Sequence, residues 1–332
     1  MMPYTFQPNN LTARTLRLGY KAELKDSYIE LFAQLVKTQM PQFPESLSSY
    51  FAGLPVESYN GFFSFIYHKS IELLEESRFD ETSRFLQLLT EPKMLNAIGL
   101  VHAGSINKEI RELIYEECSN STYSISIGTL DPEIEAAVYR RLAFGRAVLT
   151  HAHPELAQEI DELVQSVTFF VSGRDNKHKA FSVTSNRTQG LILINGDVDP
   201  SWIFLLDKWV HEAAHTYLFA INLSEELVLN DEHEGFSSPL RQDKRTMLGV
   251  YHATFVIQRL ILAFSAIVEK SDMGDDDHQK ISKLLANYYS RLEDGISTVR
   301  QYGDLTALGR HLIEEGYQYT QEINRPPRSI TM

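Results

Sequence analysis

An apolar helix that carries two histidines four residues apart constrains this chain more than any other feature. The stretch 202–221 is apolar on nearly every helical face, and residues 211–215 in its middle read His-Glu-Ala-Ala-His. Side chains at positions i and i+4 lie on one face of a helix, so both imidazoles can reach a single ion. Polar groups on a buried helix are costly unless they find partners. The pattern therefore predicts that His211 and His215 bind a catalytic metal ion.

The glutamate inside the motif has a separate predicted role. Glu212 would lie beside the ion but point away from it, where it can act on a bound water or on a substrate proton. A catalytic ion also needs a third protein ligand and an open position. His252 is the preferred third ligand, because a lone polar residue on a buried helix demands a partner. The alternatives are Glu232 and Glu234, which lie at a distance from the motif typical of zinc peptidases but also suit a solvated loop.

Arginines near the predicted third ligand suggest a site for a carboxylate. Arg259 follows His252 by seven residues, which is two helical turns along the same face. Arg245 precedes the same helix, and Arg241 lies close to it in the sequence. A guanidinium group can hold a carboxylate through two hydrogen bonds, although a surface ion pair explains each arginine equally well. An enzyme with an organic-acid cosubstrate needs such a clamp, and peptidases rarely do.

Hydrophobic periodicity predicts a mainly α fold of the α+β class. Helices are predicted over 22–39, 59–77, 80–91, 107–117, 131–150, 155–166, 202–221 and 246–270, with two more following to about residue 320. Strands are predicted over 122–128, 167–173, 178–185 and 189–196. The last three read as a small antiparallel sheet packed on the metal-binding helix. The proline-containing stretch 40–55 reads as a connection.

Near residue 120 the predicted elements change from helices alone to a mixture of strands and helices, which indicates two regions. Residues 1–120 form a helical N-terminal region, and residues 121–332 form the metal-binding catalytic region. A chain of this length suits one large domain or two that pack intimately. We expect the two regions to form one packed unit.

Composition excludes several classes of partner. Lys and Arg total 31 against 44 Asp and Glu, so the formal charge of -13 leaves no basic face for nucleic acid. The single cysteine, Cys118, cannot form an internal disulfide, which fits the cytoplasm. No apolar run approaches the roughly 18 residues that cross a membrane. We therefore expect a cytoplasmic protein that binds neither nucleic acid nor membrane.

Three segments resemble a known family. They are WVHEAAHTYLF, SSPLRQDKR and LGVYHATFVIQRL, and they are similar to the HExxH-motif peptide-modification proteins of bacterial clusters that make ribosomal peptide natural products. In that family the last segment reads approximately Gly-Val-x-His and continues as an apolar helix, with an arginine seven residues after the histidine. These positions are Gly249, Val250, His252 and Arg259 here.

The resemblance implies an activity and a set of ligands. Members look like iron(II)- and 2-oxoglutarate-dependent hydroxylases that act on the β-carbon of residues in a precursor peptide. By this resemblance His211, His215 and His252 bind iron, and Arg245 or Arg259 binds the 2-oxoglutarate carboxylate. One departure is that proline commonly follows the arginine before the last segment in the family, whereas threonine follows Arg245 here.

Two further hypotheses come from the motif itself. The first is a zinc metallopeptidase, in which Glu212 activates water and Glu232 or Glu234 is the third ligand. The second is a metal-stabilised binding module with a closed site of four ligands and no turnover. In the preferred oxygenase, the exposed edge of the small sheet would align an extended precursor peptide.

Overall fold

The computed structural model describes residues 4–36, 45–118, 127–172, 180–240 and 243–324. These residues form a mainly helical structure with one small sheet, which confirms the predicted mainly α, α+β class. The helices are α1 (Asn10–Glu30), α2 (Glu45–Gly53), α3 (Gly61–Glu75), α4 (Phe79–Leu88), α5 (Pro92–Leu95), α6 (Lys108–Cys118), α7 (Pro132–Ala152), α8 (Pro154–Leu163), α9 (Trp202–Asn222), α10 (Met247–Lys270), α11 (Asp275–Tyr302) and α12 (Ala307–Ile323).

The N-terminal helices depart from the predictions in two places. Helix α1 begins well before the predicted residue 22, because the Asn9 side chain accepts the N–H groups of Leu11 and Thr12 at 3.0 Å each and caps the helix. A helix also forms within the predicted connection 40–55. That part of the prediction was wrong, since Leu47 and Phe51 lie one turn apart and bury a common face. Residues 40–44 lie outside the described residues.

The sheet is small and mixed. Its strands are β1 (Gly99–Leu100), β2 (Ile127–Gly128), β3 (Ser166–Ser172), β4 (Ser182–Val183) and β5 (Leu191–Asn195). The main order is β1-β3-β5-β4, and β2 pairs with the end of β3. The pairs β1–β3 and β3–β5 are parallel, whereas β4–β5 and β2–β3 are antiparallel. Most of the predicted strand 122–128 lies outside the described residues.

The prediction of an antiparallel sheet was therefore wrong at its centre. It assumed that strands joined by short polar turns pair in sequence order. Instead β4 lies on the far side of β5, so the chain enters β5 parallel to β3. All five residues of β5 are buried, and β3 is buried except at Val171. Continuous apolar runs of this kind are typical of parallel strands covered on both faces.

Contacts divide the structure into two compact units. The sheet unit comprises Ala13–Leu142 and Asp161–Ala220, and the helical unit comprises Met1–Thr12, Ala143–Ile160 and Ile221–Met332. The predicted regions 1–120 and 121–332 partition the chain by its local character rather than by contacts. That partition stays a prediction.

The core of the sheet unit is rich in aromatic rings. Tyr28 stacks on Phe51 at 4.9 Å between ring centroids and meets Tyr59 at 5.9 Å. Helix α3 lies directly against β5, because a Cβ at Gly61 would collide with Leu191. A glycine is needed at this position for the helix and the strand to approach so closely.

The helical unit is centred on α10, which packs against α11 and α12. Among the described helices, α10 alone has the length and hydropathy of a membrane span, but 89% of its most apolar window is buried in protein. This burial is that of a core helix in a soluble protein. Small residues allow the close packing, since a Cβ at Gly316 would collide with Gln258 and Phe6.

Candidate metal centre

Helix α9 begins with a cap close to the predicted position. The hydroxyl of Ser201 accepts the N–H of Phe204 at 3.3 Å, and Asp199 accepts the N–H of Ser201 at 2.8 Å. Ser201 is therefore the capping residue. The cap holds the first turn of the helix that carries the histidine motif.

One face of α9 is accessible. Every residue from Ile203 to Ile221 is buried except for five half-buried positions, Phe204, Lys208, His211, His215 and Phe219. These five positions are separated by four, three, four and four residues, so they form a single stripe along the helix. We call them the histidine stripe. Both predicted metal ligands lie at its centre.

The rings of the two motif histidines lie close together. The ring centroids of His211 and His215 are 5.0 Å apart, and the rings are inclined at 60°. His215 also stacks on Phe219, with 6.0 Å between centroids and 21° between planes. Two imidazoles on one helical face can supply two ligands to a single ion. The geometry fits this part of the predicted site.

Glu212 differs from the histidines that flank it. Its side chain belongs to the buried side of α9, with 3% of the residue exposed. The Glu212 carbonyl accepts the hydroxyl of Thr216 at 2.9 Å. A buried carboxylate has less access to water than a group on the histidine stripe. This placement favours a supporting role over that of an exposed base.

A side chain from outside the helix holds the backbone of the motif. The Gln189 amide donates to the Thr216 carbonyl at 2.9 Å, directly after His215 in the chain. Gln189 is 7% exposed and precedes Gly190, which has a φ of +83°. The loop before β5 thus anchors the centre of α9. Sequence reasoning missed Gln189, since no local pattern links residues 27 positions apart.

The third predicted ligand lies in the other unit. His252 is on α10, where 5% of the residue is exposed. Within the described ranges, no group of three or more His, Cys, Asp or Glu side chains is close enough together to hold an ion. The structure thus brings His211 and His215 together. The role of His252 stays a prediction.

Arg259 has a buried partner. Its Nη1 atom lies 2.8 Å from Oε1 of Glu159, and both side chains are 3% exposed. The guanidinium carbon lies 4.9 Å from the ring centroid of Phe6 and 5.2 Å from that of Phe255. Glu159 also accepts the N–H of Asn9 at 2.8 Å. The alternative to a carboxylate clamp was a surface ion pair, and the ion pair that Arg259 forms is buried.

The buried pair changes the acidity of its carboxyl group. Burial raises the pKa of Glu159, and the positive charge of Arg259 and the Asn9 N–H oppose that rise. Glu159 contacts one nitrogen of the Arg259 guanidinium, the group that was predicted to bind a cosubstrate. The role of Arg259 as a carboxylate clamp stays a prediction, and the cosubstrate would have to compete with Glu159 for the guanidinium.

Arg245 is in a more open setting. Its Nε atom lies 3.1 Å from Oδ2 of Asp243, and the two side chains are 36% and 42% exposed. The Arg245 backbone pairs with Phe236 through hydrogen bonds of 2.7 and 2.9 Å. An exposed ion pair of this kind is weak and easily exchanged. Arg241 lies outside the described residues.

The glutamates predicted as alternative ligands are in an exposed turn. Glu232 and Glu234 both face solvent. Asp231 accepts the N–H of His233 at 2.8 Å, and its carbonyl accepts the N–H of Glu234 at 3.3 Å. This arrangement fits a solvated loop, which was the alternative for these residues.

Comparison with known proteins adds no identification. No model of a known protein family matches the chain, and no curated protein sequence matches it. The resemblance therefore rests on the three segments around the histidine motif and on His252.

Proposed function

We propose that this protein is an iron(II)- and 2-oxoglutarate-dependent oxygenase that hydroxylates the β-carbon of a side chain in a ribosomally made precursor peptide. The observation that carries the proposal is the histidine stripe. Helix α9 keeps one face accessible, and both motif histidines lie on it with their rings 5.0 Å apart. The single cysteine and the buried α10 are consistent with a cytoplasmic enzyme.

The nature of the ligands suits the proposed ion. Neutral imidazoles bind iron(II) and zinc alike, so His211 and His215 fit two positions around either metal. Iron(II) with 2-oxoglutarate and O2 supplies the oxidising power that converts a C–H bond into C–OH. In the proposal His252 is the third ligand. Three neutral ligands leave the ion its full positive charge, which the dianionic cosubstrate offsets.

The surroundings of the two arginines help to choose between them. Arg245 is half-buried and paired with an exposed aspartate, whereas Arg259 is buried and paired with Glu159. Exchanging an exposed carboxylate for the cosubstrate costs little, but leaving Glu159 buried without its partner costs several kcal/mol. We therefore prefer Arg245 as the cosubstrate clamp.

The position of Glu212 weighs against the zinc peptidase. A peptidase needs this glutamate to reach a metal-bound water. Glu212 is buried, while Glu232 and Glu234 lie on an exposed turn. An oxygenase places no such demand on Glu212, whose carboxyl group can serve the packing of α9.

The test is anaerobic loading with iron(II), followed by 2-oxoglutarate, air and a precursor peptide encoded beside the gene. We expect succinate and a gain of one oxygen atom in the peptide, detected by mass spectrometry. The His211→Ala and His215→Ala variants should lose both products. His278→Ala is the matched control, since His278 is an exposed histidine on α11. Failure to form succinate and hydroxylated peptide with iron-loaded protein contradicts the proposal.

Metal binding can be measured independently of turnover. The chain has two tryptophans, Trp202 and Trp209, and both lie on α9. Their fluorescence should be quenched by cobalt(II) in the wild type. Removing one ligand should weaken this binding by roughly 100-fold, because the ligands of a structural zinc site together supply about 10–16 kcal/mol. Peptide cleavage that survives His252→Ala but not Glu234→Ala or Glu232→Ala would identify the zinc peptidase instead.

A further inference from the structure

The histidine stripe continues towards the start of α9 as an aromatic and cationic patch. The Lys208 ammonium lies 5.5 Å from the ring centroid of Phe204 and 5.8 Å from that of Phe181. The two rings meet edge to face, with 6.2 Å between centroids and 81° between planes. Phe181 comes from the chain directly before β4 and is 50% exposed. We call these three residues the Lys208 patch.

The patch is built around a fixed charge. Lys208 Nζ lies 2.6 Å from Oδ1 of Asp207, whose side chain is 4% exposed, while the Lys208 side chain is 17% exposed. The buried aspartate therefore orients the lysine from the protein side. An ammonium group has three N–H donors, so one ion pair leaves donors for a ligand from the solvent side.

The patch is also close to the two histidines. Lys208 precedes His211 by three residues on the same stripe, which corresponds to about one helical turn, or roughly 5 Å along the axis. A half-exposed phenylalanine beside an oriented cation offers apolar contact and charge in one place. A short carbon chain that ends in a carboxylate matches both features.

We propose that Phe181, Phe204 and Lys208 form a carboxylate-binding subsite next to the histidine pair. The carboxylate accepts hydrogen bonds from the Lys208 ammonium, and its carbon chain lies against the two rings. The carboxylate belongs either to a free organic acid or to an acidic side chain of a peptide. Only the use of the subsite in turnover rests on the proposed oxygenase, since binding to Lys208 requires neither metal nor reaction.

A peptide source has support from the sheet. Strand β4 ends the order β1-β3-β5-β4, so among the described strands it has a neighbour on one side alone. Phe181 accepts the N–H of Asn195 in β5 at 2.9 Å, which turns the backbone polar groups of Ser182 away from β5. An extended peptide added along β4 would pass beside Phe181.

The experiment measures binding to the full-length, metal-free protein by calorimetry. The probes are 2-oxoglutarate and two hexapeptides that differ by a central aspartate or asparagine. We expect at least one carboxylate probe to bind, and Lys208→Gln to weaken it by roughly tenfold, as for a lost hydrogen bond to a charged group. Lys208→Arg should retain most of the binding. An effect on 2-oxoglutarate identifies the free acid, and an effect on the aspartate peptide alone identifies the peptide side chain.

Two variants keep the test decisive. Lys108→Gln is the matched control, because Lys108 is also paired with a carboxylate of its own helix, that of Glu112, but is exposed on α6. It should bind every probe like the wild type. Phe181→Ser removes an exposed ring and should fold normally while weakening binding about threefold, the loss of a small apolar contact. If neither carboxylate probe binds, or if Lys208→Gln binds both like the wild type, the subsite does not exist.

The two proposals fail separately. Loss of carboxylate binding in Lys208→Gln, in a protein that binds no cobalt(II) and forms no succinate, supports the subsite and rejects the oxygenase. If instead the protein binds metal and hydroxylates the peptide, but Lys208→Gln binds carboxylates like the wild type, the oxygenase is supported and the subsite is rejected.

Discussion

Helices α9 and α10 have similar compositions but different surroundings. Both are long and apolar, and each carries histidine. Every residue of α10 from Val250 to Phe264 is buried, whereas α9 keeps one stripe half-exposed. On α10 the polar side chains are enclosed by protein, and Thr254, Gln258 and Arg259 contact groups of the helical unit. On α9 they line up at intervals of three and four residues.

Three polar side chains of α10 contact other groups of the same chain. Gln258 donates to the Ile313 carbonyl at 2.9 Å, Thr254 donates to the Val250 carbonyl at 2.8 Å, and Arg259 pairs with Glu159. The contacts of Gln258 and Arg259 connect α10 to other segments of the helical unit, whereas that of Thr254 lies within the helix itself. In contrast, the polar residues on the histidine stripe of α9 are partly exposed and can be reached by a ligand. The comparison separates a helix that is buried along most of its length from one that keeps an accessible stripe, although hydropathy alone treats the two helices alike.

The largest expected effect comes from breaking the buried ion pair of α10. Glu159→Ala should destabilise the protein by about 3–5 kcal/mol, because it leaves the Arg259 charge buried without its carboxylate. Urea unfolding followed by circular dichroism measures the change. Asp243→Ala breaks the exposed pair with Arg245 and should cost less than about 1 kcal/mol. Equal effects from the two variants would contradict the contrast between buried and exposed pairs.

A pair of phenylalanines compares packing on the two helices. Phe255 on α10 is fully buried, whereas Phe219 lies on the histidine stripe of α9. Phe255→Ala should cost about 3–4 kcal/mol through lost burial and a cavity. Phe219→Ala should cost roughly 2 kcal/mol less, since part of its ring already contacts water. Comparable shifts in the urea midpoint would show that the stripe is as well packed as the core.

Loss of the anchor at the centre of α9 should have a smaller effect. Gln189→Leu removes the hydrogen bond to the Thr216 carbonyl and should destabilise the protein by about 1 kcal/mol. It should also weaken cobalt(II) binding, because the turn after His215 loses its support. Gln158→Leu is the control, since Gln158 makes an exposed contact of 3.4 Å with Asn10. Wild-type metal affinity in Gln189→Leu would show that the anchor does not position the histidine.

The smallest expected effect is on the stability of the metal-free protein. His211→Ala should change the free energy of unfolding by no more than about 0.5 kcal/mol, because a half-exposed side chain contributes little packing. Saturating metal should then stabilise the wild type but not the variant, through ligand binding to the native state. A large loss of stability without metal would make His211 a packing residue.

Periodicity predicted most helices of this protein because helical spacing is a local property. It missed α2, where proline and glycine suggested a connection but Leu47 and Phe51 are buried. It also missed the parallel pairing of β3 and β5, since the order of strands depends on where the chain returns. Local patterns carry no information on that return.

The same limit applies to the candidate site. The interval between His211 and His215 places them on one face, and the same reasoning extends to Phe204 and Lys208. Neither Phe181 nor Gln189 is marked by any local pattern, because their partners are distant in the sequence. The environment of Arg259 was equally hidden, since Glu159 lies 100 residues earlier in the chain.

The sequence by itself determined that α9 is helical, apolar and provided with two histidines on one face. The spacing of residues along a single helix suffices for these properties. Only the tertiary structure decided which face stays accessible, which carboxylate holds Arg259 and which side chains flank Lys208. The physical reason is that burial and charge pairing depend on segments far apart in the chain, and folding alone brings these segments together.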